Sequence, residues 1–183
     1  MVVGDERSVH DIHSACLTQT LSTLYSPEQI AAWMQGRTPE GYLKAATSGE
    51  IFFVAETVSG IIGFASWEDD ELLALFVHPD FQGRGVGSQL FEACISDAIA
   101  SGSSITRVKA ANGAVAFYAN RGFVSVARGS VVKHGVTIED TRMVIDPVRL
   151  ASPRREPNWR GLYVRDGVES GRSARGLMLR NWS

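Results

Sequence analysis

One segment constrains the chain more than any other. Leu72-Leu73-Ala74-Leu75-Phe76-Val77, apolar at every position, runs through His78-Pro79-Asp80-Phe81 into Gln82-Gly83-Arg84-Gly85-Val86-Gly87-Ser88. An uninterrupted apolar run is the pattern of a central strand covered on both faces. Leu90, Phe91, Cys94, Ile95 and Ala98 then recur on one face, predicting a helix from Val86 to about Ala100 that Ser101-Gly102-Ser103-Ser104 closes. A strand feeding a helix through glycines makes an anion site. The first N–H groups of the helix lack internal partners and sit at the positive end of its dipole, so they can hold a pyrophosphate. Glycines at 83, 85 and 87 let the backbone approach the ligand and take positive φ where required, and Arg84 can add a charge-assisted contact.

Glycine spacing alone leaves the ligand open. A Walker phosphate loop ends in Gly-Lys-Ser/Thr, and Gly87-Ser88-Gln89 has no such lysine. A Rossmann turn wants Gly-x-Gly-x-x-Gly and an acid roughly 20 residues on. Lys109 stands there, with no acid close by. A plain strand-to-helix turn under a tight packing requirement would also carry these glycines.

The surrounding pattern supplies the frame. Val9 to Leu24 has largely helical spacing, Ser26-Pro27-Glu28 reads as a cap with proline in the first turn, and Pro39 to Ala46 forms a third short helix stopped by Gly49. Ile51 to Ala55 and Ile61 to Trp67 flank the turn Ser59-Gly60 as an antiparallel hairpin. Ile105 to Val108 returns as a strand after the long helix, and a strand-helix-strand crossover sets the two strands parallel. Ala114 to Asn120 is a short helix, and Phe123 to Val132 pairs with Val136 to Val144 around Lys133-His134-Gly135. The expected fold is α/β, also classed α+β: a mixed sheet with helices on both faces.

Composition agrees with one ordinary domain: 183 residues, 44% hydrophobic and 21% charged. No apolar run approaches the roughly 20 residues that span a bilayer, and Met1 to Arg7 lacks the pattern of a secretory signal. The expectation is a cytoplasmic protein with no membrane partner. Cys16 and Cys94 are too few for a disulfide framework or a thiolate cluster, and both read as core residues. No metal-ligand spacing is present.

The net charge of −2 hides an asymmetry: residues 1–148 carry 10 basic and 17 acidic side chains, whereas 149–183 carry 8 arginines and 3 acids. Residues 1–148 are read as one domain and 149–183 as a basic extension. The extension is taken as solvated or packed on the acidic body of its own or another subunit, rather than as a nucleic-acid arm. A homodimer is compatible with that reading.

A second element narrows the ligand. About 25 residues beyond the glycine turn, Asn112-Gly113-Ala114-Val115-Ala116-Phe117-Tyr118-Ala119-Asn120-Arg121-Gly122-Phe123 follows in order. The pair of elements, Gln82 to Gly87 and Asn112 to Phe123, resembles the GCN5-related N-acetyltransferase (GNAT) family over roughly residues 8 to 146. The resemblance implies a mixed, mostly antiparallel sheet with a central pair of parallel strands that splay apart. It implies acetyl-CoA as co-substrate, held by the backbone of Leu75, Phe76 and Val77, by the turn Gln82, Gly83, Arg84, Gly85, Val86, Gly87 and Ser88, and by Asn112. It further implies that Tyr118 protonates the departing thiolate, and that an acid near the splayed strand takes the amine proton. Glu71 is the choice among Glu68, Asp69, Asp70 and Glu71.

The acceptor would be a primary amine of a small molecule, amino acid or peptide. Its lining would come from Leu21, Tyr25, Trp33, Tyr42, Trp67 and Thr137. His10 and His13 read as surface or helix-packing residues. One departure stands out: only Met1-Val2-Val3 precedes Gly4-Asp5, so the family's first strand is short or missing. The segment Gly161-Leu162-Tyr163-Val164 is a candidate to cover the sheet edge instead.

Overall fold

The computed structural model describes residues 1–150 and 162–166. Helix α1, Glu6–Ala15, continues into a π-helical turn at Cys16–Thr20 and a 3-10 turn at Leu21–Thr23. The sequence pattern had suggested a single helix here; the widened turn instead brings Cys16, Thr20 and Leu21 to the wall of a cleft. Helix α2, Pro27–Met34, starts where the cap signal predicts. Ser26 accepts from the Gln29 amide at 3.2 Å and the Gln29 side chain accepts from the Ser26 amide at 2.9 Å, a reciprocal box that satisfies two end donors. Helix α3 is Pro39–Thr47.

The sheet follows as β1 (Ile51–Thr57), β2 (Gly60–Glu68) and β3 (Glu71–Val77), then helix α4 (Val86–Ala100), β4 (Arg107–Ala110) and helix α5 (Val115–Ala119). The hairpin β5 (Val124–Lys133) and β6 (Val136–Val144), the short helix α6 (Pro147–Leu150) and β7 (Tyr163–Asp166) complete it. Strands lie in the order β5-β6-β4-β3-β2-β1-β7. Every neighbouring pair is antiparallel except β3 and β4.

Side-chain alternation along β1 shows how the layers form. Phe53 and Ala55 face α4 with Leu90, Phe91, Cys94 and Ala98, while Phe52 and Val54 face α1 and α3 with Val9, Ile12 and Tyr42. A third cluster of Leu17, Leu21, Tyr25 and Ile30 packs on Ile138 of β6. Both cysteines are free and buried, as expected from their context.

The edge of β1 is covered within the chain by β7, two residues beyond the segment expected, with Val54 opposite Arg165 and Ala55 opposite Val164. Arg165 fixes this strand: its two terminal nitrogens each donate to Asp5 at 2.9 Å and its Nε donates to Glu56 at 2.8 Å. Burial opposes ionisation of Asp5, but Arg165 and the Val2 amide outweigh it and hold the carboxyl below its ordinary range. Gly161 itself lies outside the described residues.

One expectation fails, and the failure locates the site. β3 is apolar throughout yet is not covered on both faces: Leu73 is 44% exposed, and Ala74, Leu75 and Phe76 are only half-buried. In the β2–β3 ladder Trp67 faces Leu72 and Ser66 faces Ala74, so Leu73 is an extra, bulged residue. A bulge bends its strand. Immediately beside it β3 parts from β4: the parallel ladder joins only Glu71 to Arg107 and Leu72 to Val108. The apolar side chains past that point line cavities as well as packing on the core.

Candidate active site

The parting of β3 and β4 opens a cleft of about 770 Å³, within the ordinary range for a small-molecule site. One wall is β3, whose Glu71, Leu75, Phe76 and Val77 all line it. The glycine turn closes one end. Gly83 (φ +71°) and Gly85 (φ +82°) adopt the left-handed conformation, and Gly85 caps α4 so that the helix axis starts at the cleft. The amides of Val86 and Gly87 open the helix and have no intrahelical carbonyl to reach. Gly87 sits where a Cβ would come within 3.4 Å of Leu75 and 3.6 Å of Phe117, so its lack of a side chain keeps the turn close to both walls.

Gln82, Gly83, Gly85, Val86, Gly87 and Ser88 line the cleft together with Tyr118. Arg84 and Asn112 do not. Arg84 is exposed, with its guanidinium 5.4 Å from the Phe81 ring centre. Asn112 lies on the rim, where its amide donates to the Tyr25 hydroxyl at 3.0 Å, and that hydroxyl donates to the Glu139 carbonyl at 2.9 Å. Gln82 points inward as well: its Nε2 donates to the Val77 carbonyl at 2.9 Å and to Thr20 at 3.1 Å, tying the turn to the end of β3. The Cys16 thiol donates to the same Val77 carbonyl at 3.0 Å, and burial lifts its pKa to about 11.

Tyr118 reaches the cleft from α5 and is 5% exposed. Its ring packs edge-on against Phe117 at 5.1 Å and lies near Phe91 and Phe123. Burial, followed by the nearby Cys94 thiol, pushes its pKa well above the ordinary phenol value, with partial relief from Arg121. The group is therefore a protonated donor at any neutral pH.

Glu71 is 13% exposed and already engaged: Lys109 Nζ lies 2.8 Å from one carboxylate oxygen and Arg107 Nε 3.8 Å from the other. A second carboxylate went unrecognised in the sequence. Asp140, on β6, lines the same cleft, and its Oδ1 is buried without a hydrogen-bond partner among the described residues. Arg121 was likewise missed; it donates to Ser88 Oγ at 2.6 Å and stacks 3.5 Å over the Phe117 ring, fixing the start of α4 against α5. Neither residue carries a local sequence signal, because a hairpin strand and a helix end reach the cleft only through tertiary pairing.

Of the residues expected around the acceptor, Leu21 and Trp33 line the cleft, Tyr25 and Trp67 are buried at 4% and 3% exposure, and Thr137 is exposed on β6. Tyr42 lines a second cavity with His13, whose Nδ1 lies 2.8 Å from the Tyr42 hydroxyl. Burial, then the charges of Arg37, His10 and Lys133, lower the His13 pKa to about 3, so this histidine is a neutral core residue. Among the described residues no three His, Cys, Asp or Glu side chains gather where they could hold a metal ion, and no helix is long and apolar enough to cross a membrane.

A mixed sheet parted at its centre, with a glycine-capped helix at one end of the gap, defines an acyltransferase of the GNAT type. The model of the acetyltransferase (GNAT) domain family matches residues 21–146, and the chain belongs to that family. It is 31% identical over 144 residues to an uncharacterized N-acetyltransferase, YafP, of Escherichia coli K12, covering 79% of this chain and 91% of that one. A crystal structure of a GCN5-related N-acetyltransferase from Rhodopseudomonas palustris superposes with a TM-score of 0.72 at 32% identity, over 79% of this chain and 91% of that one. The PaiA N-acetyltransferase of Thermoplasma acidophilum, solved in complex with coenzyme A, shares the fold at a TM-score of 0.65 and 20% identity, over 79% and 94% of the two chains.

Proposed function

We propose that the protein transfers the acetyl group of acetyl-CoA directly to a primary amine of a small molecule, amino acid or peptide. The observation that carries this reading is the single cleft in which the β3–β4 gap, the capped start of α4 and the Tyr118 phenol meet. The pyrophosphate would sit on the amides from Gly83 to Ser88, and the pantetheine arm would lie along β3 in the gap that β4 leaves. The thioester carbonyl then falls between β3 and Tyr118. Attack by the neutral amine forms the C–N bond and breaks the C–S bond. The amine proton passes to a cleft carboxylate and the departing thiolate takes the Tyr118 proton, so the step needs no oxidant or reductant.

Three carboxylates line the cleft, and of these Glu139 already accepts from Gln29 at 2.9 Å, which leaves Glu71 and Asp140 to compete for the amine proton. Glu71 fits the family pattern, but its carboxylate is already paired with Lys109 at 2.8 Å. Asp140 lines the same cleft and carries one oxygen without a hydrogen-bond partner among the described residues, buried beside Gly129. The expected result is that Asp140→Asn lowers kcat/KM by about 10²-fold, with Glu71→Gln costing less. Equal losses, or the larger loss at Glu71, would return the role to Glu71.

The reading as a whole is tested by following thiol release from acetyl-CoA against a panel of amines, aminoglycosides, amino acids and peptides. Release with at least one acceptor class is expected. Thermal stabilisation by acetyl-CoA without release across the panel would mark a coenzyme-binding regulatory module instead.

A further inference from the structure

The end of the cleft away from the glycine turn holds charge that acetyl transfer does not use. The β5–β6 turn folds onto the loop after α2, where His134 Nε2 lies 3.2 Å from the Gln35 carbonyl. This contact brings Lys133, the last residue of β5, into the neighbourhood of Arg37. Arg37 is fixed by its Nε, which donates to the Trp33 carbonyl at 3.0 Å, and its guanidinium also lies against the Tyr42 hydroxyl. Both side chains are half-buried and both line the cleft. Among the described residues neither is paired with a carboxylate. Burial and then the charge of Arg37 pull the Lys133 pKa below its ordinary value. Glu50 senses Arg37 through space from the wall of the second cavity, and burial raises its pKa. Two cations held together and partly desolvated are unfavourable until an anion joins them.

Beside this pair the cleft continues into the second cavity, of about 430 Å³, through Trp33, Arg37, Leu73, Ala74 and Phe76, which line both spaces. The far walls are Phe52, Phe64 and Tyr42. His13 also lines it, and His13 Nε2 is buried with no partner among the described residues. An aromatic chamber, with Glu50 and Thr38 also in its wall, next to a cation pair without a salt bridge among the described residues has the form of a site for a molecule that carries a carboxylate and a bulky side chain.

We propose that the acetyl acceptor is a free α-amino acid whose carboxylate lies between Arg37 and Lys133 and whose large apolar or aromatic side chain enters the second cavity. The α-amine is then left facing the β3–β4 gap. This deepens the transferase reading and rests on it for the chemistry, though not for the binding. A peptide fits less well, because its N-terminal amine is remote from its only free α-carboxylate.

The test uses the full chain with L-phenylalanine, L-tryptophan and L-methionine, each compared with its amide and its decarboxylated amine. Amides have less basic amines and present more neutral nucleophile near pH 7, so intrinsic reactivity would favour them. The expected result is the opposite: the acids should show a kcat/KM at least about tenfold higher, carried mainly by KM. Arg37→Ala and Lys133→Ala should each lower kcat/KM for the acids by about 10- to 100-fold and leave the amides within about twofold, so that discrimination collapses. Arg37→Lys should retain part of it. Amides or amines used as well as the acids by the wild type, or an equal loss on all three classes in Arg37→Ala, would overturn the proposal.

Calorimetric binding of the same compounds to the coenzyme A complex separates the two readings. Acids that bind and are lost in Arg37→Ala, with no thiol release, would sink the transferase and leave the carboxylate site standing. Acids that bind no better than amides remove the site whatever the assay shows. Lys133→Ala, at a hairpin end, keeps the test open if Arg37→Ala does not fold.

Discussion

A Tyr118→Phe protein is expected to bind acetyl-CoA within about twofold of the wild type and to turn over about 10²- to 10³-fold more slowly. The substitution removes one oxygen and keeps the ring, so the packing against Phe91, Phe117 and Phe123 survives. Stability should change little, since the lost hydroxyl has no hydrogen bond described within the protein and its removal leaves no partner stranded. The rate falls because a thiolate leaving into an apolar cleft has lost its proton donor. The sign of the pKa shift adds a second readout. Burial raises the phenol above its ordinary value, so the wild-type rate should show no alkaline limb from Tyr118 in the range where phenols usually ionise. Steady-state kinetics with calorimetric acetyl-CoA binding checks both. A kcat within threefold of wild type would remove Tyr118 from the chemistry.

What could be read from residues alone, and what could not, divides along local and non-local structure. The cap at Ser26, the glycine turn and the helix it opens depend on spacing within a few residues, and each stands where the pattern put it. The parallel pairing of β3 and β4 followed from the crossover rule, and β7 was anticipated, two residues early, in the segment Gly161-Leu162-Tyr163-Val164. The exposure of β3 was misread because a strand lining a cavity and a strand buried on both faces share one composition. The bulge at Leu73 that parts the strands has no mark in the sequence, since leucine flanks it and leucine fills it. Gln82 and Asn112 illustrate the limit of motif reading. Both stand in family positions, yet one side chain is turned into the protein and the other residue stands on the rim. The meeting of Arg37 with Lys133, and the access of Asp140 to the cleft, come from long-range packing that no local pattern encodes.

The glycine turn offers the largest expected effect on binding. Gly85→Val should weaken acetyl-CoA by about 10²- to 10³-fold while the domain remains folded. Gly85 caps α4 at φ +82°, a conformation that a β-branched residue takes only at a cost of about 1–3 kcal/mol. The turn relieves that strain by moving, and the amides of Val86 and Gly87 move with it. Each charge-assisted bond to phosphate is worth about 1.5–3 kcal/mol, so displacing both of these amides reaches the expected range at about 1.4 kcal/mol per tenfold. Two controls separate geometry from bulk. Asparagine tolerates the left-handed region, so Gly85→Asn should cost far less than valine. At Gly83, where φ is +71° and an added Cβ would meet nothing within 4 Å, Gly83→Asn should be nearly silent. Calorimetry with coenzyme A reads all three. A Gly85→Val dissociation constant within fivefold of wild type would mean that the pyrophosphate is held elsewhere, and the turn would then be a packing device like any other strand-to-helix connection.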